Sequence, residues 1–141
     1  MSDITTVILA AGNSTRFKAS KSKLVYPLCG LPIVSHIFNI AKKISGKNIL
    51  IVSNEKNKEE LKLILNTSKL VVQKKQKGTA DAIEQVKKYV KSKNILILFG
   101  DTPLVEVKDI RKLVSKFKKS KAKASLIAFN TSEPHLSLIH I

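Results

Sequence analysis

Residues 7–24 read VILAAGNSTRFKASKSKL, an apolar run that empties into a loop of small residues, one arginine and three lysines. An anion bearing several negative charges is the natural guest of so small and so cationic a loop. Ala10, Ala11 and Gly12 leave their backbone N–H groups unobstructed, and Gly12 permits conformations closed to other residues. Successive N–H groups in such a turn can form a concave anion site. The familiar phosphate loops do not fit. A Walker A loop needs Gly-Lys-Ser/Thr beginning where Phe17 stands, and the dinucleotide fingerprint needs glycine where Ser14 stands. Two later stretches, QKKQKGTA at 73–80 and GDTP at 100–103, carry similar small, polar and charged residues.

These stretches act together only if the elements between them bring them together. Apolar, β-branched runs at 5–9, 48–53, 69–73, 94–99 and 124–129 predict five short strands. Between them, apolar residues recur at helical spacing. Ile33, Val34, Ile37, Phe38, Ala41 and Ile44 form one stripe after Pro32. Shorter stripes run through Leu61, Ile64 and Leu65, and through Ala82, Ile83, Val86, Tyr89 and Val90; a last one covers 107–119. The alternation predicts an α/β fold, a mostly parallel sheet with helices on both faces and right-handed crossovers. Ligands of such sheets bind at the carboxyl ends of strands, near a topological switch point. AAGNSTR follows the first strand, QKKQKGTA the third and GDTP the fourth. SNEKNKEE, after the second, reads as plain connection.

At 141 residues the chain fits one domain with a single core, and its 43% apolar content suits a folded protein. No run approaches the roughly 18 apolar residues of a membrane span, and the N-terminus lacks a signal peptide's layout. A lone Cys29 offers no disulfide framework, so a cytoplasmic protein with no membrane partner is expected. A net charge of +16 invites a nucleic-acid reading. Against it, there are 24 lysines and only two arginines, Arg16 and Arg111, whereas base readout leans on arginine. The lysines fall mostly in connections and on polar helix positions such as Lys42, Lys43, Lys87 and Lys88. A solvated lysine surface with a general attraction for anions is the expectation, and no nucleic-acid partner.

LAAGNSTRF followed by Lys23 resembles the L-A-A-G-x-G-T-R signature of sugar-1-phosphate nucleotidyltransferases, which closes on a lysine after proline or serine. The resemblance is strongest to the N-terminal domain of the bifunctional N-acetylglucosamine-1-phosphate uridyltransferase / glucosamine-1-phosphate acetyltransferase family. QKKQKGTADAI looks like that family's uracil loop, and ILILFGDTPLV like its metal-binding segment. The resemblance implies a Rossmann-like nucleotidyltransferase fold. It implies that Leu9, Ala10, Ala11 and Gly12 line the nucleotide with backbone groups. Arg16 and Lys23 become the catalytic cations, holding the triphosphate and offsetting charge on the pyrophosphate leaving group. Gln73 reads the uracil edge, with Gly78 and Thr79 beside the base. Asp101, its turn shaped by Phe99 and Gly100, holds Mg²⁺ that bridges phosphate oxygens.

The implied reaction joins UTP and N-acetylglucosamine 1-phosphate to give UDP-N-acetylglucosamine and pyrophosphate, a step in cell-wall and lipopolysaccharide precursor synthesis. The attacking phosphate is already an anion at neutral pH, so cations and geometry are needed rather than a general base. Each assignment has a plainer rival. Lys23 can be one more solvated lysine, Asp101 a turn cap before Pro103, Thr79 a helix cap, and Gln73 a strand-end amide in water. His36 and Cys29 read as structural. Two other functions stay open: a different nucleotidyltransferase of the same fold, using CTP for isoprenoid synthesis or dTTP for glucose 1-phosphate, and a basic, non-catalytic nucleic-acid-binding module.

Ser14 and Ser22 replace the family's usual glycine and proline with the spacing intact. After NTSEPH the family continues into a Tyr-Gly-Arg stretch that contacts the sugar; here the chain reads LSLIHI. Those residues are the in-frame translation of a common sequencing-adapter end, CTGTCTCTTATACACATC. Residues 1–135 are therefore expected to be the N-terminal part of a C-terminally truncated nucleotidyltransferase domain, and Leu136–Ile141 a non-native tail. The sugar contacts, a second Mg²⁺ ligand and the acetyltransferase half, which would make the parent a homotrimer, are then missing.

Overall fold

The computed structural model describes residues 3–13, 17, 21–67 and 69–128. Ser14, Arg16 and the tail Leu136–Ile141 lie outside the described residues. In chain order the elements are β1 (Ile4–Leu9), β2 (Pro27–Leu28), β3 (Leu31–Pro32), α1 (Ile33–Ser45), β4 (Ile49–Ser53), α2 (Lys58–Leu65), β5 (Leu70–Val72), α3 (Thr79–Val86), β6 (Asn94–Phe99) and α4 (Val107–Lys119). Residues Met1–Val107 make one compact unit and Lys108–Ile141 a second.

In the first unit β5, β4, β1 and β6 form a parallel sheet in that order. The chain moves outward from β1 to β4 and β5, then returns to lay β6 on the other side of β1. That reversal opens a crevice at the carboxyl ends of β1 and β6. The inner strands are apolar on both faces, as a covered parallel sheet requires. Val7, Leu50 and Val52 pack on one face with Ala82 and Val86 of α3. Ile8 and Ile51 alternate to the opposite face and are fully buried; α1 contacts β1, β4 and α2. Each such side chain contributes about 2 kcal/mol by leaving water. Two pairs of hydroxyls meet: Ser45 Oγ donates to Thr6 Oγ1 at 2.8 Å, and Thr5 Oγ1 lies 2.7 Å from Ser92 Oγ, whereas buried Ser53 Oγ has no partner among the described residues. α1 stops at Gly46, whose φ of 61° favours a residue without Cβ.

Three departures from the sequence expectations are local. Residues 120–128 form no strand: Leu126 and Ile127 are exposed, and an apolar run becomes a strand only beside a ladder partner. Phe129, the end of that expected strand, lies outside the described residues. The third helix ends at Val86 and tightens into a 3₁₀ turn over Lys87–Tyr89, leaving Tyr89 exposed. β2 and β3 form an unexpected hairpin around Cys29 and Gly30, with φ of 49° and 81°. Two positive φ values in a two-residue loop are the geometry that matches strand twist, but strands of two residues leave almost no periodic signal. His36 donates from Nε2 to Leu28 O at 2.8 Å.

Candidate nucleotide-binding site

The carboxyl ends of the strands surround an open cavity of about 690 Å³. Leu9, Ala10, Ala11, Gly12, Lys23, Gln73, Gly78, Thr79, Phe99 and Asp101 all line it, so the three separated loops do meet. Phe17, Leu24, Gln76 and Ala82 complete the lining. Gly100 does not line the cavity. Its N–H donates to Leu9 O at 2.9 Å, and a Cβ there would stand 3.1 Å from that oxygen, so glycine permits the close approach of the β1 and β6 ends. Arg16 lies outside the described residues.

The first loop is held differently from the sequence expectation. Ala10 N–H is not free: it donates to Val52 O at 2.8 Å and extends the sheet by one residue. Among the described residues no acceptor engages the N–H groups of Ala11 and Gly12. The loop's carbonyls are clamped from behind. Asn57 Nδ2 donates to Ala10 O at 2.8 Å and Asn54 Nδ2 to Ala11 O at 3.0 Å. The two asparagines brace each other: Asn54 Oδ1 accepts from Asn57 N, and Asn57 Oδ1 from Asn54 N. Both are buried, at 5% and 2% exposure. SNEKNKEE is therefore no plain connection. An Asn-x-x-Asn pair directly after a strand, able to build Asx turns, was the signal available. On its outer side Lys58 pairs with Glu55 at 2.8 Å, and the hydrogen bond and charge of Glu55 raise the lysine's pKa above its ordinary value.

Lys23 begins a 3₁₀ turn, Lys23–Val25, capped by Ser22, whose Oγ accepts from Leu24 N at 3.4 Å. A serine in the proline's place thus keeps the turn. Lys23 Nζ reaches across the rim to Asp101 Oδ2 at 2.8 Å. Asp101 is no turn cap; Thr102 Oγ1 closes that turn onto Phe99 O at 3.0 Å. With both partners about 40% exposed, the ion pair is weak and readily exchanged for other charges.

Gln73 is not a solvated amide. It is 3% exposed, and its Nε2 donates to Asp81 Oδ2 at 2.6 Å and to Gly78 O at 3.3 Å. Gly78, with φ of 101°, occupies the cap position of α3, and Thr79 is the first helical residue rather than the cap. Asn13 Nδ2 ties the first loop to this one, donating to Gln76 Oε1 at 3.3 Å. Asp81 went unnoticed in the sequence because helical spacing gives no hint that it folds back onto a strand-end amide.

The donor set suits a divalent cation that arrives with phosphates. Asp101 offers one exposed carboxylate, and the described residues contain no group of three or more His, Cys, Asp or Glu side chains. Mg²⁺ needs only one or two carboxylates when phosphates and waters fill its remaining positions.

The chain is similar in sequence and in fold to known proteins. The chain is 42% identical over 120 residues to the bifunctional protein GlmU of Buchnera aphidicola subsp. Schizaphis graminum, covering 84% of this chain and 26% of that protein. It is 38% identical over 139 residues to that of Campylobacter fetus subsp. fetus, covering 95% and 31%. It thus spans under a third of the length of these relatives. The solved structure of CMP:2-keto-3-deoxy-manno-octonic acid synthetase complexed with CTP shares the fold at a TM-score of 0.68 and 18% identity, covering 86% of this chain and 49% of that one. Residues 6–140 match the MobA-like NTP transferase domain, and the chain belongs to the MobA-like NTP transferase domain family.

Proposed function

We propose that the cavity binds UTP and belongs to a uridylyltransferase that acts on N-acetylglucosamine 1-phosphate. One observation carries the reading: Lys23, Gln73, Gly78 and Asp101, assigned to phosphate, base and metal, line a single cavity with the Ala11–Gly12 turn. The likeness to GlmU proteins supports the choice of nucleotide and sugar phosphate.

In this reading the free N–H groups of Ala11 and Gly12 face the phosphates, and Lys23 leaves Asp101 for the triphosphate. The same exchange frees the Asp101 carboxylate, which would hold Mg²⁺; the ion would supply positive charge against the phosphates. Arg16 is proposed as the second phosphate cation. The phosphate of the sugar then attacks the α-phosphorus, and pyrophosphate leaves; Lys23 stabilises the charge that grows on it.

Calorimetric titration with and without Mg²⁺ tests this. UTP is expected to bind better than CTP or dTTP, and better with Mg²⁺ than without. Lys23→Ala is expected to weaken UTP binding about tenfold, the cost of one charge-assisted contact at a partly exposed site. Equal affinity for the three nucleotides overturns the reading. So does duplex-DNA binding that falls steeply with salt in place of UTP binding.

A further inference from the structure

We infer that Asp81 sets which pyrimidine the cavity accepts, by fixing the direction in which Gln73 presents its amide. The inference rests on the proposed nucleotide reading and deepens it, because it concerns the selectivity of the same site.

A glutamine amide carries a donor end and an acceptor end, and free in water it offers either to a ligand. Gln73 has no such freedom. Its Nε2 faces two groups that can only accept, the Asp81 carboxylate at 2.6 Å and the Gly78 carbonyl at 3.3 Å. Rotating the amide by half a turn would place Oε1 against both oxygens and exchange two attractive contacts for two repulsive ones. Asp81 is itself steadied by Gln85, whose Nε2 donates to its other oxygen at 3.4 Å. The NH₂ group is therefore committed within the protein. Oε1 remains as the acceptor that this cavity-lining, 3% exposed residue can offer a ligand.

That polarity selects chemistry. Uracil and thymine carry a ring N3–H, a donor that matches Oε1. Cytosine carries a bare N3 lone pair at that position and can meet Oε1 only through its exocyclic amine, one place along the ring edge. Sliding by that distance moves its ribose and phosphates out of register with the Ala11–Gly12 turn. Asp81 touches no ligand in this account; it is a positioning residue.

Asp81→Asn is the discriminating variant. It is nearly isosteric, but its amide can turn a donor toward Gln73 and so permit the reversed Gln73 orientation. Two measurements are made on the whole chain, UTP and CTP affinities by calorimetry and the Gln73 side-chain amide protons by NMR. In the parent, one Gln73 amide proton is expected far downfield and slow to exchange. In Asp81→Asn that signature is lost, and the preference for UTP over CTP falls about tenfold, the discrimination that one buried hydrogen bond can carry. A preference unchanged in the variant overturns the inference, as does a parallel loss of both nucleotides, which marks a merely structural role. If the parent binds neither nucleotide, the proposed function falls and this inference with it. An ordinary, fast-exchanging Gln73 amide in a parent that does prefer UTP removes the inference alone.

Discussion

Asn57→Asp is expected to lower the chain's unfolding free energy by about 3 kcal/mol and to abolish tight UTP binding, a larger loss than Asn57→Ala produces. Asn57 stands in the cap position of α2 yet makes no capping hydrogen bond to that helix. Its amide goes to Ala10 O instead, and its carbonyl accepts from Asn54 N. Asparagine at a helix start ordinarily contributes about 1 kcal/mol by capping, so the side chain forgoes a local gain to hold the loop. Aspartate keeps the acceptor half of this arrangement and turns the donor half into an oxygen facing an oxygen, at a site 2% exposed. Alanine leaves Ala10 O and Asn54 N–H without their partner but sets no charged oxygen against the carbonyl. Urea denaturation of the two variants, followed by UTP titration, gives the comparison. If alanine proves the more damaging, the Asn57–Ala10 contact is not what holds the loop.

Gln73→Ala is expected to weaken UTP binding about thirtyfold while leaving any affinity for duplex DNA untouched. The substitution removes the acceptor that faces the base and deprives Asp81 of its shortest hydrogen bond. A residue buried at a strand end and donating inward has no route to a nucleic-acid backbone, so the two functional readings separate cleanly on this variant. Unchanged UTP affinity would place the base elsewhere in the cavity. A parallel loss of DNA affinity would favour the basic-module reading.

The sheet was legible because its signal is redundant. Residues 94–99 and 107–119 show their strand and helix periods plainly, and β6 and α4 have those bounds. The expected strand at 124–129 had the same apolar look and failed over its described residues, because pattern specifies a surface while a ladder partner decides whether a strand forms. At the site, the loops were found from residue types: small residues after β1, a glutamine–glycine–threonine set after β5, an acid after β6. What pattern could not show were contacts between loops. Asn54, Asn57 and Asp81 are ordinary polar residues in sequence, and they matter only through what lies opposite them: two carbonyls and one amide. Backbone donors escaped for a related reason. Ala10 resembles Ala11 in every sequence property, yet one N–H joins the sheet and the other does not.

Because one asparagine both opens α2 and grips Ala10, fraying of that helix and slackening of the loop are a single event. Reciprocity then follows: whatever prefers the gripped loop must also quieten α2, although no residue of α2 lines the cavity. Amide exchange at Leu61–Leu65 is expected to slow when UTP is added, so that a helix remote from the nucleotide reports its arrival.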